Sequence, residues 1–272
     1  MNIKRFSVID RLFHLFVMLT FLTMAATGFG RVFVVTDWGR GLCSLFGGYE
    51  ACGSIHRWVG ISMIVAFFVH IVYVFAKIQW RNLKQSIFGP DSLVPNLQDL
   101  RHIGKRILWS FGIGSPPELD RWTYWEKFDY WAVFWGMPLL AITGLMMMYP
   151  METCLFVPGW VLNLAAFLHK AEAILAVTFI FTVHFFVQHL RPSSFPLNQA
   201  MFSGSVPMEE ASSEKPAWIA RLESEGKLEQ ATVVAPSLPF RVAYLIFGYS
   251  VMGVGVYLLI NGIVYSRYVT LH

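Results

Sequence analysis

The chain has 272 residues, of which 56% are hydrophobic and only 14% carry a charge. A soluble domain devotes about 25% of its residues to charge, so this composition excludes a water-soluble globule and points to an integral membrane protein. The formal net charge of +4 is spread along the chain in a way that reads as membrane orientation and not as a nucleic-acid footprint.

Crossing the hydrocarbon takes roughly 20 apolar residues in a helix. The first such window covers residues 12–30, behind the basic start "NIKRFSVIDR". A cleaved signal peptide begins the same way, but the run is long and "ATGFGRVF" makes a poor cleavage site. An uncleaved first span is expected. Further windows follow at 58–76, 130–149, 173–190 and 242–266, and none contains Asp, Glu, Lys or Arg. The expected fold is all-α, an integral membrane bundle with a four-helix core over 1–192. The charged segment 193–240 is expected to cross the surface as a strap, and 241–272 to hold a fifth span with a short tail. No internal repeat stands out.

Sixteen of the 21 Lys and Arg residues fall before the first window, between the second and third, or between the fourth and fifth. The positive-inside rule therefore puts the N-terminus in the cytoplasm and the C-terminus in the periplasm of a bacterial inner membrane. Cys43, Cys52 and Cys154 then lie on the outer side, where a Cys43–Cys52 disulfide suits the oxidising compartment. There is no CxxCH sequence for covalent haem attachment.

Six of the eight histidines belong to the apolar windows or their edges. His56 and His169 open the second and fourth spans near the outer surface. His70 lies 14 residues beyond His56, and His184 lies 15 beyond His169. At about 1.5 Å and 100° per residue, each pair is separated by roughly 21–23 Å along one side of its helix. Two such helices side by side make two bis-histidine layers at two depths. Neutral imidazole is a good axial ligand for haem iron, and helical bundles hold cofactors between facing helices. His14, at the inner start of the first span, gives the inner layer three candidates for two positions. His189 is offset by about 140° from His184 in α-helical geometry and reads as an interfacial residue. A diiron site would need Glu-x-x-His or closely spaced histidines, which the chain lacks.

The segments "FSVIDRLFHLFVMLTFLTMAATGF", "SIHRWVGISMIVAFF", "WEKFDYWAVFWGMPLLAITGLMMMYP" and "FLHKAEAILAVTFIFTVHFF" resemble, in this order, the four spans of one family. It is the cytochrome b (gamma) subunit of membrane-bound formate dehydrogenase, with the related subunits of nickel–iron hydrogenases and thiosulfate reductases. "PAWIARLESEG" is similar to the family's cytoplasmic tail, so the resemblance extends over about residues 4–226. It implies two haem b groups, the outer one held by His56 and His169 and the inner one by His14 and His184. It also implies a quinone site beside the inner haem, near the start of the third span. His70 matches no ligand of that family; its spacing from His56 fits the paired pattern of the quinol:cytochrome c reductase cytochrome b. His70 with His184 therefore stands as the alternative inner pair. The fifth span is extra, either replacing a partner's anchor helix or docking one.

The function expected is electron transfer between membrane quinone, menaquinone or ubiquinone, and a periplasmic redox subunit. That partner would carry multihaem cytochrome c, iron–sulfur or molybdenum centres. Asp10, Glu126 and Lys127 are the leading candidates for quinone protons, with Arg11, Asp129 and whichever of His14 and His70 is not a ligand beside them. The rival readings are a transmembrane haem reductase without a quinone site and a haem-free histidine-relay transporter or proton channel.

Overall fold

A computed structural model describes residues 1–269; His272 and the end of the expected tail lie outside the described residues. The protein is an all-α membrane bundle with five helices long and apolar enough to span a bilayer. Helix α1 (Val8–Val32) is followed by a short amphipathic helix α2 (Asp37–Leu45) and by α3 (Tyr49–Lys77). A connecting segment carries α4 (Leu97–Ser110) and leads into α5 (Tyr124–Met148). The fourth span α6 (Trp160–Leu190) runs as an α-helix to Phe179 and continues with π-helical hydrogen bonding over Ile180–His184 and Phe186–Leu190. After the strap, with its helix α7 (Pro216–Ser224), comes α8 (Leu238–Val264).

The helices begin where local chemistry tells them to. Ser7 caps α1 and Thr123 caps α5. In each case the residue three places on, Asp10 or Glu126, returns its carboxylate to the cap backbone. This reciprocal box satisfies donors that the first turn would otherwise leave open. Asn96 and Asp99 repeat the device at α4.

Helices α1 and α3 pack as one antiparallel pair and α5 and α6 as another. Both α3 and α6 begin well before their apolar windows. The windows stop at charges such as Arg57, Lys170 and Glu172, whereas the helices run on through them. His56 and His169 therefore sit inside their helices, with neighbouring helices on hand to bond the rings.

The strap is more than a surface crossing. Its strands β2 (Ser205–Pro207) and β3 (Thr232–Val233) flank the N-terminal strand β1 (Asn2–Lys4), both antiparallel. A small apolar core of Ile3, Val206, Ala211, Trp218, Ile219 and Leu222 lies beneath. Ion pairs fasten this unit to the start of α5. Glu126 meets Arg5 at 2.7 Å and Lys215 at 2.9 Å, and both cations are only 4% exposed. The burial of Lys215 brings its ammonium down to about 8, with the Glu126 carboxylate opposing that shift.

The two cysteines whose bridging the sequence leaves open are not bridged. Cys43 and Cys52 are buried free thiols, and the Cys52 thiol donates to the carbonyl of Thr27 at 3.6 Å.

The fifth span lies against α1 and the π-helical end of α6. Gly248, Gly255 and Gly262 recur every seven residues and form one stripe. A Cβ at Gly255 would lie 2.8 Å from Phe181 and 2.9 Å from Phe185, and one at Gly262 3.2 Å from Phe29. Small residues let membrane helices approach closely, and here they admit aromatic rings. Gly253, by contrast, faces open space. Gly255→Leu is expected to destabilise the bundle by about 1–3 kcal/mol through overpacking, whereas Gly253→Leu leaves the unfolding temperature of the detergent-solubilised protein unchanged.

Burial, with the Glu214 carboxylate nearby, pushes Glu210 in the strap up to about 7 from 4.5. Between those values the folded chain holds a proton that the unfolded chain has released, so this group's contribution to stability falls as pH rises through the window. Glu210→Gln should flatten that slope in unfolding temperatures measured across pH 4.5 to 7.

Candidate functional site

Two imidazoles meet where α3 and α6 face each other at the end of the bundle opposite the strap. The ring centroids of His56 and His169 are 6.4 Å apart, with the planes inclined at 67°. The Nδ1 atom of His56 lies 2.9 Å from the Thr27 hydroxyl on α1. That of His169 lies 3.0 Å from the Thr143 hydroxyl on α5. Each hydroxyl spends its own proton on a helix carbonyl four residues back, Thr23 at 2.7 Å and Leu139 at 2.6 Å. Each must therefore accept the hydrogen from Nδ1, which fixes the tautomer and leaves the Nε2 lone pair available as a ligand.

The residue after each threonine is glycine, and both glycines back onto the rings. A Cβ at Gly28 would lie 3.5 Å from Cε1 of His56, and one at Gly144 3.3 Å from Cε1 of His169. The two halves thus follow one pattern. Ser7, Asp10, Thr27 and Gly28 are matched by Thr123, Glu126, Thr143 and Gly144, each 116 residues later. The repeat is faint in sequence because few other positions keep their residue, among them Arg5 and Arg121, Val17 and Val133, and Ala25 and Ala141.

At the strap end the histidines divide into two groups. His14 on α1 lies within electrostatic reach of His184, and His189 within reach of both. His184 and His189 have ring centroids 6.1 Å apart, inclined at 80°. The α-helical expectation of a rim residue fails for His189 because this stretch is π-helical. An i→i+5 helix aligns residues five apart. The Nδ1 atom of His189 is buried without a hydrogen-bond partner.

His70 is not brought to His184. Its Nε2 lies 3.1 Å from the Tyr130 hydroxyl, and its ring packs on Phe13, Tyr73 and Phe134. Tyr130 stands 116 residues after His14, so in the repeat His70 faces a phenol where His184 faces an imidazole. Beside this pair the Tyr73 hydroxyl donates to Asp10 at 3.1 Å, and Lys77 lies 3.8 Å from the same carboxylate.

The other residues singled out for proton chemistry have structural partners. Glu126 is held by Arg5, Lys215 and its cap. Lys127 forms a buried pair with Asp99 at 2.9 Å. Asp10 also belongs to a cap, yet it alone of the three keeps a bonded tyrosine leading into the bundle.

Among the described residues no group of three or more His, Cys, Asp or Glu could cage a metal ion. Two axial imidazoles suffice for haem, because the porphyrin supplies the remaining nitrogens. Two metal–imidazole bonds of about 2.0 Å each, extended by the ring radii, account for a centroid separation like that of His56 and His169. Residues 5–204 match the family of prokaryotic cytochrome b561. The chain belongs to this family. It is a membrane cytochrome b of the hydrogenase and oxidoreductase type, a haem-containing electron-transfer protein. No curated protein matches it.

In this cytochrome the threonines explain what spacing alone cannot, namely how a histidine inside a membrane helix is held in one orientation through Nδ1. Thr143→Val keeps the shape of the side chain and deletes the acceptor. Haem affinity, measured by titrating haem into apoprotein, is expected to fall about 10- to 100-fold. An unchanged affinity would remove Thr143 from the site.

Proposed function

We propose that the protein is a dihaem cytochrome b that passes electrons between membrane quinone and a redox partner on the opposite side. The observation carrying this reading is the grouping of imidazoles at both ends of the bundle, His56 with His169 at one and His14 with His184 at the other, α6 contributing to each. The strap end faces the cytoplasm in this reading, in keeping with its excess of Lys and Arg. The other end then meets a periplasmic subunit bearing multihaem cytochrome c, iron–sulfur or molybdenum centres.

His56 and His169 hold the outer haem, and His14 with His184 hold the inner one. The haems accept and release single electrons. The chain's own residues handle the rest. Thr27 and Thr143 fix the outer tautomers. The apolar helices keep water from the path. Quinol oxidation releases two protons for every two electrons, and quinone reduction takes them up. His70 and Tyr130, hydrogen-bonded to one another, meet the quinone hydroxyl or carbonyl at the inner end. Asp10, linked to Tyr73 and 32% exposed, exchanges the protons with the cytoplasm. Glu126 and Lys127 hold the frame around that site through their ion pairs.

The reading is tested first by a dithionite-reduced minus oxidised spectrum, in which two b-type haems per chain are expected. Their absence from haem-replete protein would favour the histidine-relay transporter. His14→Ala should then lower the haem count from two to one. His70→Phe should retain both haems and slow quinol-driven haem reduction by about 100-fold, the scale of a lost acid–base group. Loss of a haem in the His70 variant would reverse the ligand assignment. Full-rate quinol-driven reduction in that variant would remove His70 from the quinone site.

A further inference from the structure

The second ring nitrogen of each ligand distinguishes the two ends of the bundle. His56 and His169 both donate from Nδ1 to threonine hydroxyls, at 2.9 and 3.0 Å. His184 donates from Nδ1 to the Oδ2 atom of Asp129, at 3.1 Å. A hydroxyl is a neutral acceptor, whereas a carboxylate brings a charge to the bond and makes it stronger. Both side chains of the pair are enclosed, His184 being 20% exposed and Asp129 17%, so salt and water screen that charge less than they would at the surface.

The carboxylate is itself held. Gln188, four residues beyond His184, donates from Nε2 to the same Oδ2 atom at 2.9 Å. Two donors on one stretch of helix therefore meet one oxygen of a residue on α5. Asp129 is fixed against the ring, and Gln188 draws off part of the negative charge that His184 would otherwise feel.

We propose that Asp129 is a positioning residue that lowers the reduction potential of the haem held by His184. A carboxylate behind an axial imidazole raises the basicity of that ligand. A more basic ligand donates more electron density and favours ferric over ferrous iron, and hydrogen bonding around the axial ligand is one of the means by which a protein sets a haem potential. The threonines give the other haem no such charge. The two sites of this near-repeat therefore differ electronically while sharing the same ligand type.

The proposal rests on the haem reading above, and redox titration of the purified protein separates the two. Wild-type protein without haem overturns both. With two haems present, Asp129→Asn is expected to raise one midpoint and leave the other in place. The expected change is roughly tenfold in the reduction equilibrium, about 59 mV for one electron. Gln188→Met removes the competing donor and should move that same midpoint the opposite way. A residue acting only through packing would not give shifts of opposite sign. If Asp129→Asn loses the haem, the Gln188→Met titration decides: a downward shift supports the proposal and an unmoved midpoint overturns it. Two haems with unmoved midpoints in Asp129→Asn overturn it as well.

Discussion

An imidazole inside a membrane helix has two ring nitrogens, and hydrocarbon satisfies neither. That constraint organises this bundle. One nitrogen must find a partner on a neighbouring helix, and that bond decides which helices stand together. Thr27 brings α1 to His56 on α3, and Thr143 brings α5 to His169 on α6. The nitrogen left over then determines what the site can bind. Beside Thr143 the glycine matters as well, since a Cβ at Gly144 would lie 3.3 Å from the His169 ring, whereas one at Gly28 would make an ordinary 3.5 Å contact with His56.

The strap end obeys the same constraint with different partners. Asp129 takes the ring hydrogen of His184, and Tyr130 bonds His70. These neighbours in sequence send their side chains to different helices, so one turn of α5 addresses both α3 and α6. The π-helical end of α6 adds His189 to the His184 face. Such a segment costs regular hydrogen bonding, and π-bulges are frequent at functional sites. The fifth helix supports it from behind, with Gly255 against Phe181 and Phe185. A helix that seemed an addition to a four-helix core is thus part of the wall around the inner histidines.

The all-α membrane fold was legible in composition, and the five spans in apolar windows. Their extents were not, because hydropathy breaks at Arg57, Lys170 and Glu172 while backbone hydrogen bonding does not. The facing of His56 and His169 agreed with the layers expected from spacing, although the last five residues of the stretch from His169 to His184 are π-helical. His189 was misplaced by the same arithmetic, because nothing in "VHFFVQHL" announces a change from i→i+4 to i→i+5 bonding. The rivalry between His14 and His70 was a question of which way helices rotate, which one sequence cannot fix. The cap boxes at Ser7 and Thr123 were present as Ser-x-x-Asp and Thr-x-x-Glu. They passed unnoticed because their carboxylates also suit proton chemistry.

The near-repeat relates that ambiguity to the function. Two hairpins with matching caps, threonines and glycines make equivalent partners at the end away from the strap, where His56 and His169 have like surroundings. At the other end the equivalence fails at two adjacent positions, where Phe13 and His14 in the first half are Asp129 and Tyr130 in the second. The imidazole of His14 lies within electrostatic reach of His184. The phenol at the matched position bonds His70 through its hydroxyl instead. Exchanges of side chain at matched positions therefore give two similar corners different polar partners. Both corners border the same turn of α5, so the adjacent residues Asp129 and Tyr130 each hold an imidazole of a different helix.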